Sequence, residues 1–146
     1  GNKEGVVVND LIQDKDLYDI DPVDIVYNLL SNDQEIINLT GHGKGGDHIY
    51  KYHIPEENRE KPPLIRIHPI SELPAEYADN KQLAWDCIVQ IDVWDDSNAR
   101  QIALKINELM KTINFKQNTP TFEFDPDTYL VRDGRRYRGV LMSKLK

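Results

Sequence analysis

Residues 83–113 read LAWDCIVQIDVWDDSNARQIALKINELMKTI, and the architecture of the domain follows from this segment. Between residues 85 and 93 apolar and polar side chains alternate, which is the period-2 pattern of a strand that buries one face. From Ala99 to Ile113 apolar residues recur at spacings of three and four, which predicts an amphipathic helix. Asp95 and Asp96 lie between the two patterns, where a short carboxylate can cap the first turn of a helix. A strand that leads directly into a helix predicts a packed α+β unit.

A second helix is predicted ahead of this unit. Asp21 is expected to cap it, Pro22 suits its first position because the missing N–H would have no partner there, and Asp24 complements the helix dipole. Residues 31–33 read Ser-Asn-Asp, which predicts the end of the helix. Residues 1–20 show no sustained period of either kind, so we expect a flexible or partner-ordered leader.

The remaining strands are predicted to be short and to follow turn residues. The chain offers strands at 49–52, 64–68, 122–124, 129–131 and 137–142, with a long hairpin loop over 71–82. Pro69 interrupts the second of these strands, which therefore is predicted at a sheet edge. Asp133-Gly134 is a hairpin turn signal. The sequence predicts a single α+β domain over residues 21–146, in which two main helices pack on one face of a mostly antiparallel sheet of about five strands.

Composition limits the class of protein. The 39% hydrophobic and 29% charged content are typical of a globular chain. The apolar runs are far shorter than the roughly 20 residues needed to cross a bilayer, so no membrane span is predicted and a cytosolic site of synthesis is expected. Cys87 is the one cysteine, so it cannot form an internal disulfide, and its place on the apolar strand face predicts inert packing.

Charge is distributed unevenly along the chain. The net charge is −7, yet residues 1–60 hold 13 acidic against 5 basic residues, and the last fifteen residues carry +5. Most of that positive charge comes from Arg132, Arg135, Arg136 and Arg138. Patches of opposite sign favour self-association or docking to a partner. A solvated basic hairpin is the alternative interpretation.

Glycines and histidines in the segment 41–53 suggest two binding chemistries, and neither fits. Gly41 to Gly46 lack the spacing of a phosphate-binding loop, so a mobile loop is predicted. His42, His48 and His53 lie within twelve residues, but they form no helical i, i+4 pair and have no CxxC partner. Solvated loop histidines, with no bound metal and no cofactor, are therefore predicted.

Carboxylates and arginines leave two other functions open. Asp86 and Asp92 fall on one strand face, as in a magnesium-dependent nuclease, but no Glu-x-Lys follows on an adjoining strand. We therefore predict that they line the wet face of the sheet and that the protein is not an enzyme. The arginine-rich segment with its interleaved Tyr137 is typical of nucleic-acid contacts. The acidic net charge opposes such binding, so a protein interface or internal ion pairs are favoured.

Several segments, taken in order, carry a resemblance to a known family. They are Pro63-Leu64-Ile65-Arg66-Ile67, Tyr77-Ala78-Asp79-Asn80, Val89-Gln90-Ile91-Asp92-Val93-Trp94, the helix from Ala99 to Met110, and Arg132-Asp-Gly-Arg-Arg-Tyr-Arg138. The chain resembles the small tail-terminator or head-tail joining proteins of long-tailed phages of Gram-positive bacteria. The likeness covers roughly residues 21–142, without the loop 41–52.

The resemblance implies a structural role. Similar tail terminators form a hexameric ring that closes the tail tube beneath the head. The resemblance therefore implies contacts with further copies of this chain, with the tail tube protein and with head-completion or connector proteins. DNA would only pass through such a ring. The resemblance implies assembly in the host cytoplasm followed by residence in the virion tail, and it implies no catalytic residue.

Two sets of residues are candidates for these contacts. Arg132, Arg135, Arg136 and Arg138 are predicted to contact a neighbouring subunit or partner. Acidic loop residues are predicted to face the ring lumen, because acidic walls repel phosphate; these are Asp47, Glu56 and Glu57.

Overall fold

The computed structural model describes residues 6–7, 21–74 and 82–144. In chain order the elements are β1 (Val6–Val7), α1 (Pro22–Ser31), α2 (Gln34–Thr40), β2 (Ile49–Lys51), a 3₁₀ turn (Glu56–Asn58), β3 (Leu64–Pro74), β4 (Gln82–Asp95), α3 (Ala99–Thr112), β5 (Lys116–Gln117), β6 (Thr121–Asp125) and β7 (Leu130–Lys144). The predicted α+β class is confirmed.

One sheet contains all the strands that the structure describes. Its main order is β1-β7-β4-β3-β2, and β5 and β6 pair with β7 beyond the end of β1. β1 with β7 and β2 with β3 are parallel pairs, whereas the long pairs β3 with β4 and β4 with β7 are antiparallel. β4 and β7 are therefore the central strands.

The core lies between the sheet and the three helices. Alternate residues of β4, among them Val89 and Ile91, face α3, whose Ile102, Ile106 and Met110 are also buried. The alternation in β4 and the three-and-four spacing in α3 bury these residues because each period places its apolar side chains on one surface. No helix in the described ranges combines the length and the hydropathy that crossing a lipid bilayer requires.

The first helix follows its prediction. The Asp21 side chain accepts a hydrogen bond from the Val23 N–H at 2.9 Å, Pro22 opens the helix, and α1 ends at Ser31. A further helix, α2, was not predicted. Asp33 caps it by accepting from the Ile36 N–H at 3.0 Å, and Gly41 ends it with a φ of 79°, which glycine adopts without strain.

Two local predictions were wrong. The N-cap of α3 is Asn98, while Asp95 still belongs to β4 and accepts a hydrogen bond from the Asn98 N–H at 3.0 Å. Asp133-Gly134 is not a turn, because β7 runs through it and pairs with β4 on both sides. The turn lies instead between β6 and β7, over residues 126–129.

The predicted edge strand lies at an edge along only part of its length. β2 pairs with Ile65 to Ile67, so this first part of β3 is inside the sheet, and the longer part from His68 onward has no strand on that side among the described residues. Pro69 falls in that outer part, where a missing N–H removes no ladder bond. The predicted leader, apart from residues 6–7, and most of the predicted 71–82 loop lie outside the described residues.

Candidate functional site: the open face of the sheet

Strands β3, β4 and β7 lie side by side, and their outward side chains form one surface that we call the open face. It is the side of the sheet away from the three α-helices. Among its polar side chains are Arg66 and His68 of β3, Asp86, Gln90 and Asp92 of β4, and Arg132, Arg136 and Arg138 of β7. The register places Arg66 and Arg132 on either side of the β4 segment 92–94, so guanidinium groups from two strands reach one central carboxylate.

Asp92 is the centre of the open face, and its side chain is 0% exposed. One carboxylate oxygen lies 2.7 Å from an Arg66 nitrogen and the other lies 2.8 Å from an Arg132 nitrogen. The Gln90 amide also donates to the carboxylate at 2.9 Å. A second Arg132 nitrogen binds Glu123 at 2.7 Å. The buried carboxylate therefore keeps its charge compensated by charge-assisted hydrogen bonds.

Gly134 lies opposite Asp92 in the β4–β7 register. A Cβ atom at this position would stand 2.8 Å from an Asp92 oxygen and 3.0 Å from an Arg132 nitrogen. Glycine fits here because the ion pair fills the space that a side chain would take. The glycine that the sequence suggested as a turn residue thus makes room for the central cluster.

The outer arginines of β7 are held by shallower contacts. Arg136 donates through Nε to the side-chain Oε1 of Gln90 at 3.1 Å, and two Arg138 nitrogens bind the two oxygens of Asp86. The Arg138 side chain is 64% exposed, so this pair adds little to stability. It does hold a planar guanidinium in a fixed position at the surface.

His68 stands beside the central cluster. Its Nε2 atom lies 3.5 Å from Asp92 but makes no hydrogen bond. Burial lowers the pKa of His68, and the nearby positive charge of Arg66 lowers it further, which together outweigh the opposing effect of Asp92. His68 is therefore neutral at neutral pH. The fixed charges of this part of the face come from arginines and carboxylates.

Three of the four predicted interface arginines share the open face, and one does not. Arg132, Arg136 and Arg138 alternate along β7 and point outward. Arg135 points to the helix side, where it is 6% exposed, binds Asp133 at 2.8 Å and donates to Gln117. Internal ion pairing, which the sequence left open as an alternative, describes Arg135, and Arg132 and Arg138 also pair with carboxylates of the chain.

The predicted lumen residues are all exposed and flank β2 in the chain. The Asp47 backbone carbonyl accepts a hydrogen bond from the Tyr50 hydroxyl at 2.6 Å. The pKa of Tyr50 is raised, mainly by burial and then by the negative charges of Asp47 and Glu57. Two of the three acids therefore lie near one tyrosine, and Glu56 adjoins them at the start of the 3₁₀ turn.

The carboxylates considered for metal chemistry have other partners. Asp86 and Asp92 do share a face, as predicted, but arginines bind both of them. In the described part of the chain, no group of three or more histidine, cysteine or acidic side chains is placed to hold a metal ion. Guanidinium groups occupy the oxygen atoms that a magnesium ion would need.

The prediction of solvated loop histidines was wrong for His42. It is 8% exposed, and its Nδ1 accepts the backbone N–H groups of His48 at 3.0 Å and Ile49 at 3.2 Å. The Tyr27 hydroxyl lies 3.3 Å from its Nε2. Burial, as the largest cause, lowers the pKa of His42. A neutral imidazole therefore organises the segment that leads from Gly41 into β2.

Sequence reasoning missed the partners that complete the open face. Arg66, Gln90 and Glu123 were not predicted as site residues. The alternation of Arg66 with Ile65 and Ile67 did indicate an outward side chain. Only the pairing of β3 with β4 and of β6 with β7 shows which carboxylate each group meets.

No protein-family model matches this chain, and no curated protein matches it. Among solved structures, it is similar to a chain from the virion of a native gene transfer agent particle. The two are 15% identical with a TM-score of 0.46, over 77% of this chain and 88% of the other. A likeness of this degree identifies neither a family nor an activity.

Proposed function

We propose that this protein is a non-enzymatic structural subunit of a phage virion, a tail terminator or head-tail joining protein that assembles with copies of itself into a ring at the head-proximal end of the tail. The segments that resemble the phage family, taken in their order along the chain, support the assignment as a tail terminator or head-tail joining protein. The observation that carries the proposal of assembly is the open face, a surface that none of the three α-helices covers and on which positive and negative side chains are held by ion pairs.

Ion pairs between strands hold these charges in place. Arg66 lies directly opposite Asp92, Arg132 reaches the same carboxylate diagonally, and Glu123 lies opposite Arg132 on β6. Arg138 and Asp86 form a second, more exposed pair. Side chains that are already held in place lose less rotamer freedom on docking, which favours association. Alternating signs also select one orientation of the partner, as a head-to-tail ring contact requires.

The nuclease alternative has less support from the same surface. A metal-dependent hydrolase needs carboxylate oxygens free to coordinate an ion and orient water. Asp92 is enclosed by two arginines and a glutamine, and Asp86 is bound by Arg138. Arginines on one face would also suit a nucleic acid, but each of the open-face arginines has a side-chain partner within the sheet.

Charge reversal on the open face tests the proposal. We expect the wild-type protein to form ring-shaped oligomers, and Arg138→Glu, alone or with Arg136→Glu, to shift the population toward monomers. Lys111→Glu is the matched control, because it makes the same charge change on an exposed residue of α3. Light scattering after gel filtration measures the mass, and electron microscopy shows the shape. Rings formed equally by all variants would refute the role of the open face.

In such a ring we assign Asp47, Glu56 and Glu57 to the lumen. Their exposure allows this placement, and their charges would let DNA pass without binding. Replacing all three by lysine should make the assembled protein retain duplex DNA in a gel shift at low salt. Unchanged migration of the DNA would contradict the assignment. The same assay on the wild-type protein tests nucleic-acid binding by the arginines, which would weaken steeply as salt rises.

A further inference from the structure

The strand β6 presents an unpaired edge. Among the described residues it pairs only with β7. Its five residues, Thr121–Asp125, include no proline. The far edge of the sheet is different, because β2 has three residues and the outer part of β3 contains Pro69 and Pro74. Short strands and prolines protect an edge against pairing with another chain. β6 has no proline within its five residues, although Pro120 and Pro126 flank it.

Large apolar side chains line this edge on the helix side of the sheet. Phe122 is 50% exposed, Phe124 57% and Tyr129 79%. The rings of Phe124 and Tyr129 meet edge to face, with centroids 6.2 Å apart, and the Arg100 guanidinium lies 4.7 Å from the centre of the Phe122 ring. Contiguous exposed aromatic side chains on a small domain mark an interaction surface. Exposed aromatic side chains are not among the features that protect an edge strand against pairing.

The opposite side of the same strand is acidic. Glu123 and Asp125 alternate with the phenylalanines, and Asp127 follows in the turn. Arg132 pairs with Glu123, and no basic residue occurs between 117 and 131. A strand added to this edge would meet aromatic rings on one face and carboxylates on the other, because successive side chains of a strand point to opposite faces.

We infer that β6 accepts, as an added strand, an extended segment of another protein in which apolar residues alternate with lysine or arginine. The backbone edge supplies the hydrogen bonds, the aromatic rings receive the apolar side chains, and the acids receive the basic ones. Pairing of β6 with β6 of a second copy, centred on Glu123, would set two carboxylates opposite each other, which disfavours that occupant. The inference goes beyond the proposed ring and does not depend on ring formation.

Three synthetic peptides of equal length test this on the intact protein. The first alternates valine and lysine, the second alternates valine and glutamate, and the third is the first with alternate backbone amides methylated. We expect the valine-lysine peptide to bind about tenfold more tightly than the valine-glutamate peptide, since several cross-strand charge pairs change sign. The methylated peptide should lose binding because it cannot complete the strand ladder. Amide NMR shifts should be concentrated in residues 121–125.

Variants of the protein test whether peptide binding is specific to the edge of β6. Phe124→Ser should weaken binding of the valine-lysine peptide at least about fivefold, since a half-exposed aromatic ring would lose its contact. Leu73→Ser is the matched control, because Leu73 is 62% exposed on the other edge of the sheet, and binding should persist. Glu123→Gln should reduce the preference for lysine. Circular dichroism checks that each variant folds, and Tyr129→Ser replaces Phe124→Ser if the latter does not.

Three results would overturn the inference. The first is the absence of NMR shifts in β6 with the valine-lysine peptide at millimolar concentration. The second is equal weakening by Phe124→Ser and Leu73→Ser. The third is self-association that Phe124→Ser abolishes while no peptide binds, because a second copy would then occupy the edge.

Discussion

Replacing Asp92 by asparagine should destabilise the fold strongly, although the two side chains have nearly the same shape. The Asp92 carboxylate is 0% exposed, while its partners Arg66 and Arg132 are 29% and 19% exposed. Asparagine keeps one acceptor oxygen but places an NH₂ group against a guanidinium donor. The substitution therefore leaves two largely buried arginines without their shared counter-charge.

The magnitude follows from these contacts. Removing one partner of a buried ion pair costs about 3–5 kcal/mol of unfolding free energy. Water still reaches both guanidinium groups, which favours the lower end of the range, about 3 kcal/mol. For a domain of this size, that corresponds to a fall in melting temperature of roughly 6–12 °C. Hydrogen bonds to charged groups, at about 1.5–3 kcal/mol each and not additive, are consistent with this value.

Urea unfolding followed by tryptophan fluorescence measures the effect, since Trp94 lies in β4 on the same face. Asp86→Asn is the matched control. It makes the same chemical change on the same strand face, but its partner Arg138 is 64% exposed, so a much smaller loss than for Asp92→Asn is expected. Equal losses for Asp92→Asn and Asp86→Asn would refute the view that burial makes the Asp92 cluster the main electrostatic support of the sheet.

Three further predictions rest on single sites. Gly134→Ala should lower the free energy of unfolding in urea by about 1–3 kcal/mol, because its Cβ would stand 2.8 Å from an Asp92 oxygen. Gly46→Ala is the control and should lower it far less, because the space around Gly46 is open. Burial lowers the pKa of His42, so the unfolded chain binds more protons between that lowered pKa and 6.5, and stability should fall as pH drops through this window. His42→Gln should show a shallower fall, and an unchanged slope would contradict the assignment. Burial, assisted by nearby acids, raises the pKa of Cys87 to about 12. A thiol reagent at pH 8 should therefore label Cys87 only after unfolding. Rapid labelling of the native protein would disprove the burial of Cys87.

Local chemistry made several elements predictable. Asp21, Pro22 and Asp24 act within one helical turn, so the start of α1 depended on no distant contact. The alternation in β4 and the three-and-four spacing in α3 fixed their buried faces for the same reason. The missed helix α2 also has a local cap at Asp33, but its seven residues are too few for a clear period.

Other features were decided by contacts between strands that are far apart in sequence. Asp133-Gly134 has the residues of a tight turn, yet pairing of β7 along the whole of β4 kept it extended, and the Asp92 cluster set the need for glycine. Period 2 alone requires Arg135 and Arg136 to point to opposite faces. The sequence thus determined that the arginines of β7 would divide between the two sides of the sheet. Which ones became buried and which exposed depended on the register with β4, because a shift of one residue exchanges the two faces.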